Sequence, residues 1–444
     1  MKNEYEDFYS ILSTKNESEI IYKLERFGRA FDNFPYGVFF QFLEHTNPNI
    51  RLLSVKNLGK FSNPGIIEKL ITMFESEDNT LVRREIVSSI GRKRSKENIP
   101  ILLRCLEDHD PKVILQAIRG LLYFKDNATV KKRLTKLKNH SNETISYLLQ
   151  KELTNKKFTK LKTRSIEKNR FENLVVLGDA RDVLKKIPTG VVDLTFTSPP
   201  YYNARDYSIY KSYEEYLTFL EDTFREVHRV TAEGRFFILN TSPVILPRVS
   251  RQHSSKRYAI PFDIHPRIIK LGFDFIDDII WAKPGASARN RNGGFFQHRK
   301  PLGYKPNVVV EYVMVYRKKT DKLIDWNMDQ YSKEIVEKSK ITKSYEMTNL
   351  WHISPSTNRS HPATFPKKLV ENVINYYSYV DDLILDPFAG SGTVGEVCNY
   401  TDRHYLLIDN NEEYFLTMKN RLSTLPNIGN FIMANELTST KGSS

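Results

Sequence analysis

Apolar positions in the first 150 residues recur with a helical period, and the pattern itself repeats. The stretches "RLLSVKNLGKF" from Arg51, "RREIVSSIGRK" from Arg83 and "ILQAIRGLLYF" from Ile114 align. Leu58, Ile90 and Leu121 then fall at matching places, 32 and 31 residues apart. Between them lie "GIIEKLITMFESED" from Gly65 and "ENIPILLRCLEDHD" from Glu97. Each pair reads as helix–turn–helix with an acidic end before the next unit, which predicts a short α-solenoid; a plain helical bundle is the alternative. The run from Lys138 to Arg170 reads as a last helix and then a basic linker.

From Phe171 the period changes. "NLVVLGDA", "VVDLTFTS", "GRFFILN", "FDFIDDIIWAKP", "VVVEYVMVYRK", "DLILDPFAGSGT" and "HYLLIDNN" carry short apolar runs of strand length. "RDVLKKIPTG", "YEEYLTFLEDTFREVHRVT", "FDIHPRIIKLG" and "FPKKLVENVINYYS" read as helices between them. Continuous apolar strands alternating with helices predict an α/β fold with a doubly wound, mostly parallel sheet. The expected organisation is a helical repeat domain over 1–155, a basic linker over 156–170, the α/β domain over 171–430 and a flexible tail over 431–444.

Composition narrows the function. The 444 residues carry a formal net charge of +14, which points to a polyanionic partner. Cys105 and Cys398 are too few for a disulfide framework or a cysteine zinc site and read as buried thiols of a cytoplasmic protein. The first residues are too polar for a signal peptide, and no apolar stretch is long enough to span a membrane. His265, His298, His352 and His361 show no metal-ligand spacing, so no metal is expected.

Two loci carry candidate chemistry. In "DLILDPFAGSGTVGEV" a strand ends at Asp386, a turn containing Gly390 and Gly392 follows, and a helix begins near Thr393. The glycines let the backbone bend and approach a ligand. Asp386 is placed to pair with a ligand ammonium. Asp409, about 20 residues on at the end of the next strand, suits ribose hydroxyls. A nucleoside that also carries a positive group fits this set, and S-adenosylmethionine fits it better than a pyrophosphate dinucleotide. In "TSPPYY", Ser198 ends another strand, Pro199 and Pro200 hold their carbonyls in fixed directions, and Tyr201 offers a ring on which a base could stack. A Pro-rich turn that merely caps a strand is the competing explanation.

Together the loci resemble the DNA amino-methyltransferases, which methylate the exocyclic amine of cytosine or adenine from S-adenosylmethionine. "SPPY" resembles the target-base motif in the form typical of cytosine-N4 enzymes. "DPFAGSGT" resembles the cofactor motif, which adds Pro387, Phe388 and Thr393 to the cofactor set. "GDARDVL" resembles the element whose acid, here Asp179, reaches the adenine. "FPKKLVENVI", with Phe365, resembles the helix that closes over the methionine end. The target motif precedes the cofactor motif, the permuted order of the β class. The resemblance spans roughly Phe171 to Leu425, and the amino-terminal repeats, which resemble HEAT repeats, lie outside it.

The resemblance implies a site-specific, Rossmann-like methyltransferase that flips a base from double-stranded DNA, with a cognate restriction endonuclease as a further partner. Adenine-N6 methylation is the nearest rival; RNA or protein amide methylation is less favoured. A binding module on an inactive methyltransferase scaffold is the alternative of another class. Expected DNA contacts are Arg289, Arg291, Arg299 and Lys300 in one basic loop and Arg251 in another. The segment from Lys318 to Met347 lies where the β class usually carries target recognition. Arg83, Arg84, Arg92, Lys93 and Arg94 are a second candidate DNA-gripping cluster, on the repeats. The oligomeric state is left open.

Overall fold

Short polar residues set the helix starts at the amino end of the chain. Asn47, Asn63, Asn79, Asp110, Asn127 and Asn142 each accept a backbone N–H and cap the helices Pro48–Leu58, Pro64–Ser76, Thr80–Arg92, Pro111–Leu122, Ala128–Lys136 and Glu143–Glu152. Three of these caps precede a proline at the first helical position, where no N–H is needed. This computed structural model describes residues 11, 14–28, 34–153, 166–202, 210–246, 252, 255–287, 293–304, 306–342, 344–355 and 366–437. They fall into two units, Met1–Phe158 and Thr159–Ser444.

In the first unit Leu58, Ile90 and Leu121 are fully buried in one core, as their repeat spacing predicts. Glycines bring the repeated helices close. A Cβ on Gly120 would lie 2.9 Å from the Gly91 Cα, closer than any side chain tolerates. Arg51 pairs with Glu77 and Arg83 with Asp108, so equivalent ion pairs join successive repeats. This changes the reading of the basic cluster. Arg83 also donates to the carbonyls of Phe74 and Glu77, Arg92 is held by Glu85, Ser88 and Ser89, and Lys93 donates to the carbonyls of Gly59 and Phe61. Arg83 and Lys93 are therefore tied up within the repeats, while Arg92 is paired with Glu85 but stays exposed.

Among the described residues the second unit holds eleven strands: β1 (Leu174–Leu177), β2 (Val192–Thr197), β3 (Thr231–Thr241), β4 (Val244–Leu246), β5 (Lys256–Tyr258), β6 (Phe273–Ala282), β7 (Val310–Lys318), β8 (Leu350–His352), β9 (Leu383–Asp386), β10 (His404–Asp409) and β11 (Asn430–Met433). Nine form one sheet in the order β11-β1-β10-β9-β2-β3-β7-β6-β8, and β4 and β5 pair separately. Every neighbouring pair in the large sheet is parallel except β3–β7 and β7–β6. Side chains alternate between two cores, Leu174 and Val176 on one face, Val175, Leu194 and Phe196 on the other. Helix Tyr213–Val230 packs on the first face and Lys367–Tyr377 on the second, which gives the doubly wound arrangement. Among the described residues no helix is long and apolar enough to cross a membrane.

Two expected boundaries shift. β11 pairs residue by residue with β1, Leu174 opposite Asn430 through Leu177 opposite Met433, so the sheet continues past residue 430 into the expected tail. The basic linker ends sooner than expected. Ile166–Asn169 is helical, and Lys168 is buried against Asp193, with a further bond to the Asp381 carbonyl. A lysine in a basic run reads as solvated; here a buried carboxylate holds it. Residues 154–165 and 438–444 lie outside the described set.

Candidate functional site

The centre of the sheet is where the chain order reverses. β9 continues outward to β10 on one side, and β2 continues to β3 on the other. Open α/β sheets form a crevice beyond the carboxyl ends of the strands at such a point. The two loci singled out from sequence meet there. Thr197, the last residue of β2, donates its hydroxyl to Asp386, the last residue of β9, at 2.6 Å. Ser198 therefore sits beside the tip that carries Pro387, Phe388 and the glycine turn.

That turn is built to stay open. Gly390 has φ +50°, and a Cβ placed on it would meet nothing within 4 Å. Gly392 has φ +76°, and a Cβ there would strike Met418 at 2.8 Å, so its glycine serves packing as well as conformation. Gly392 leads into helix Thr393–Tyr400. The Gly390 N–H donates to Asp409 Oδ2 at 2.8 Å, and the Asn411 N–H to Oδ1 at 2.9 Å, which fixes the carboxylate at the tip of β10. Arg421 braces the turn from behind, with bonds to the Ser391 carbonyl and to the Ser391 and Thr393 hydroxyls, and is itself paired with Glu396. Lys367 pairs with the other oxygen of Glu396.

Electrostatics set this pocket apart. Asp386 is 1% exposed, and burial pushes its pKa up to about 7, with the Asp409 charge a further upward push. Asp409 is raised as well, by burial. Among the described residues no cation acts on this carboxyl, and an arriving ammonium would supply one. Asp179, after β1, caps helix Ala180–Lys185 and is gripped by Arg181 through Nε at 3.0 Å and Nη2 at 2.7 Å, which lowers its pKa. Arg181 lies over the Phe219 ring at 5.0 Å, and Phe219 meets Phe388 at 5.8 Å. Asp179 and Phe388 are thus linked through Arg181 and Phe219 beside the glycine turn. The open approach at Gly390, Asp386 without a cation among the described residues and the fixed Asp409 fit a nucleoside carrying a positive group.

The two tyrosines after Pro200 have separate surroundings. Tyr202 is buried among Tyr213, Tyr216 and Tyr258, with ring centroids 5.2, 5.6 and 4.9 Å away, and anchors the segment. Tyr201 donates its hydroxyl to Glu311 at 3.1 Å. Pro199 is buried and Pro200 half-buried. Phe365, Arg251, Arg289 and Arg291 lie outside the described residues. Arg299 and Lys300 are exposed, and Arg299 stacks on the Phe296 ring at 4.9 Å.

Placement separates the candidate recognition segments. Residues 283–309 leave from the end of β6 and return at the start of β7. β6 runs with β3, so both roots lie at the edge that carries Ser198 and Asp386. The segment from Ile324 to Ser339 is tied to the opposite edge instead. Asn327 donates to the Glu233 carbonyl, Tyr331 bonds Arg235 and Asp382, and Ser339 accepts from the Val380 N–H. Asp382 precedes β9, so these contacts lie at the amino ends of the strands. The expectation that Lys318 to Met347 faces the target is corrected for this stretch, because buried polar partners hold it where the strands begin.

Sequence reasoning missed Thr197, Asn240, Lys283, Glu311 and Arg421. The signal available was a lone charge inside or at the end of an apolar strand, as in "VVVEYVMV" and "IIWAKP".

Comparison with known proteins matches residues 192–420, just over half of the chain, to the family described as DNA methylase. HEAT repeats match residues 37–122 and 67–146. The type II methyltransferase M.ScaI of Streptomyces caespitosus is 31% identical over 54% of this chain and 78% of its own length. The type II beta methyltransferase M.BslI of Bacillus sp. (strain NEB-606) is 25% identical over 80% of this chain and 38% of its own. A solved structure described as a DNA modification methylase from Thermus thermophilus, complexed with S-adenosyl-L-methionine, is 26% identical. It covers 59% of this chain and 98% of its own, with a TM-score of 0.48.

Proposed function

Because this chain belongs to the DNA methylase family, we propose that it methylates the exocyclic N4 amine of a cytosine flipped out of double-stranded DNA, with S-adenosylmethionine as donor. The observation that carries this reading is the contact of the β2 and β9 tips through Thr197 and Asp386, which puts the proline shelf beside the glycine turn. Preference for cytosine N4 over adenine N6 rests on Ser198 opening the target motif.

S-adenosylmethionine, when bound, supplies a methyl group on a sulfonium centre that is a good leaving group. The residues divide the remaining work. Asp386 takes the ammonium of the donor, Asp409 the ribose hydroxyls and Asp179 the adenine. Ser198 Oγ and the Pro199 carbonyl accept the two N–H bonds of the target amine. An aromatic amine is a weak nucleophile because the ring shares its lone pair, and two acceptors localise that pair toward the methyl group. No strong base is needed, because the nitrogen turns acidic as the methyl bond forms and sheds one proton to solvent past Ser198; orientation alone is worth about 7–11 kcal/mol in well-positioned pairs. Flipping the base costs a few kcal/mol, and stacking on Tyr201 offsets part of it. Arg299 and Lys300 of the 283–309 segment, both exposed, hold the phosphates. A restriction endonuclease of matching specificity and a cytoplasmic location complete the proposal.

Transfer of labelled methyl groups from S-adenosylmethionine to unmethylated plasmid DNA, followed by nucleoside analysis, tests it. The expected product is N4-methylcytosine. N6-methyladenine would overturn the choice of base, and no methylated nucleoside would overturn the activity.

A further inference from the structure

Glu311 stands near the start of β7, and its side chain is 13% exposed. One carboxylate oxygen pairs with Lys283, the first residue after β6. The other accepts from Asn240 Nδ2 of β3 at 2.6 Å and from the Tyr201 hydroxyl, beyond β2, at 3.1 Å. Three strands thus send a polar group to a carboxylate on a fourth, at the edge where Ser198 lies. Asn240 turns its nitrogen to Glu311 although this leaves its buried Oδ1 without a partner among the described residues. A sheltered ion pair is weak evidence for stability, since an apolar replacement often serves as well. An arrangement that leaves an acceptor unpaired points to a use at the site.

Burial, and then the charge of Glu311, raise the Tyr201 pKa well above its ordinary value, so the phenol keeps its proton. That proton is committed to Glu311. The phenol oxygen remains as an acceptor, and the Ser242 and Ser198 hydroxyls act on it as donors, which lowers its pKa against the larger upward push. A Ser198 hydroxyl that donates there keeps its lone pairs for an incoming N–H.

We propose that Glu311 is a positioning residue that fixes the direction of the hydrogen-bond run from Glu311 through Tyr201 to Ser198, so that Ser198 meets the target amine as an acceptor. The inference rests on the amine-methylation reading above. Lys283 gives it a distinctive consequence. In Glu311→Gln, Lys283 draws the amide oxygen to itself and turns the amide nitrogen toward Tyr201. The phenol then accepts from the amide and, of the two hydroxyls at its oxygen, Ser242 and Ser198, turns its own proton to Ser198 in the proposed run. The run reverses, and Ser198 faces the amine as a donor.

The experiment measures single-turnover methyl transfer to plasmid DNA and, separately, S-adenosylmethionine affinity. The proteins are wild type, Glu311→Gln, Tyr201→Phe, the double variant, and Glu311→Gln with Lys283→Met. Wild-type transfer comes first: its absence would count against the activity, not against this inference. Glu311→Gln should slow transfer about a hundredfold, the scale of a misplaced reacting group. Donor affinity should stay within about twofold of wild type, since no donor contact is touched. Adding Tyr201→Phe should slow it no further than the worse single variant, because both act through one hydroxyl. Adding Lys283→Met frees the amide to turn its oxygen to Tyr201 and should restore part of the rate; it also removes the unpaired lysine should Glu311→Gln alone fold poorly. An unchanged rate in Glu311→Gln, losses that multiply, or no recovery with Lys283→Met would overturn the proposal.

Discussion

At the scale of single residues, Asp386 carries a cost of burial that the proposed ammonium contact would relieve. A buried carboxyl with a pKa of about 7 in the folded chain opposes folding wherever the unfolded chain has already ionised. The sign follows from proton counts: between about pH 4 and pH 7 the unfolded state gives up this proton and the folded state keeps it, so stability falls as pH rises through that window. Asp386→Asn removes the effect and retains an oxygen for the Thr197 hydroxyl. Without ligand, the variant should unfold at a higher temperature than wild type at pH 8, by roughly 1–3 kcal/mol of stability, and the gap should close near pH 4. S-adenosylmethionine affinity should move the other way and drop roughly ten- to hundredfold, as for a lost charged hydrogen bond. Calorimetry of unfolding and of binding reads both. A variant less stable than wild type at pH 8, or one with unchanged affinity, would remove Asp386 from the ammonium site.

Elements were legible in the sequence where their signal is local. β2 is buried at every position, and its Val192, Leu194 and Phe196 mark it as a strand despite Asp193 between them. The helix Tyr213–Val230 shows its stripe, and the asparagine caps of the repeats stand in plain view. β11 was missed because Asn430 to Met433 follows a turn-rich stretch and gains its order only from the ladder with β1. Glu311 was missed because its partners lie 28, 71 and 110 residues away and meet only once the sheet has formed. Arg421 belongs to the same class. It sits on helix Glu412–Leu422, where a basic residue near the end suits the helix dipole and attracts no notice. The fold turns it onto the Ser391–Thr393 backbone and hydroxyls, so one element braces another. Arg421→Ala should weaken S-adenosylmethionine binding about tenfold, or about 1.4 kcal/mol, by loosening the turn. Titration calorimetry checks this, and an unchanged affinity would show that the turn holds its shape alone.

Across the second unit, the two edges of the sheet carry different chemistry. The amino ends hold a buried network of Lys168, Asp193, Arg235, Asp382 and Tyr331, satisfied within the fold and closed to a ligand. The carboxyl ends hold Asp386, the open approach at Gly390 and the roots of the 283–309 segment. A net charge of +14 points to a polyanionic partner without saying where it docks; the proposed function puts the duplex at the carboxyl edge. Phosphate contacts release counterions, so each one lost lowers the slope of log affinity against log salt by about one. Arg299→Ala and Lys300→Ala should each reduce that slope on a mixed-sequence duplex by about one. Lys333→Ala, an exposed cation on the helix Lys333–Lys338 beyond the other edge, should leave it unchanged. Filter binding between low and moderate salt measures all three. Loss with Lys333→Ala alone would put the duplex at the amino ends of the strands, away from Ser198, and no base could then reach the proline shelf.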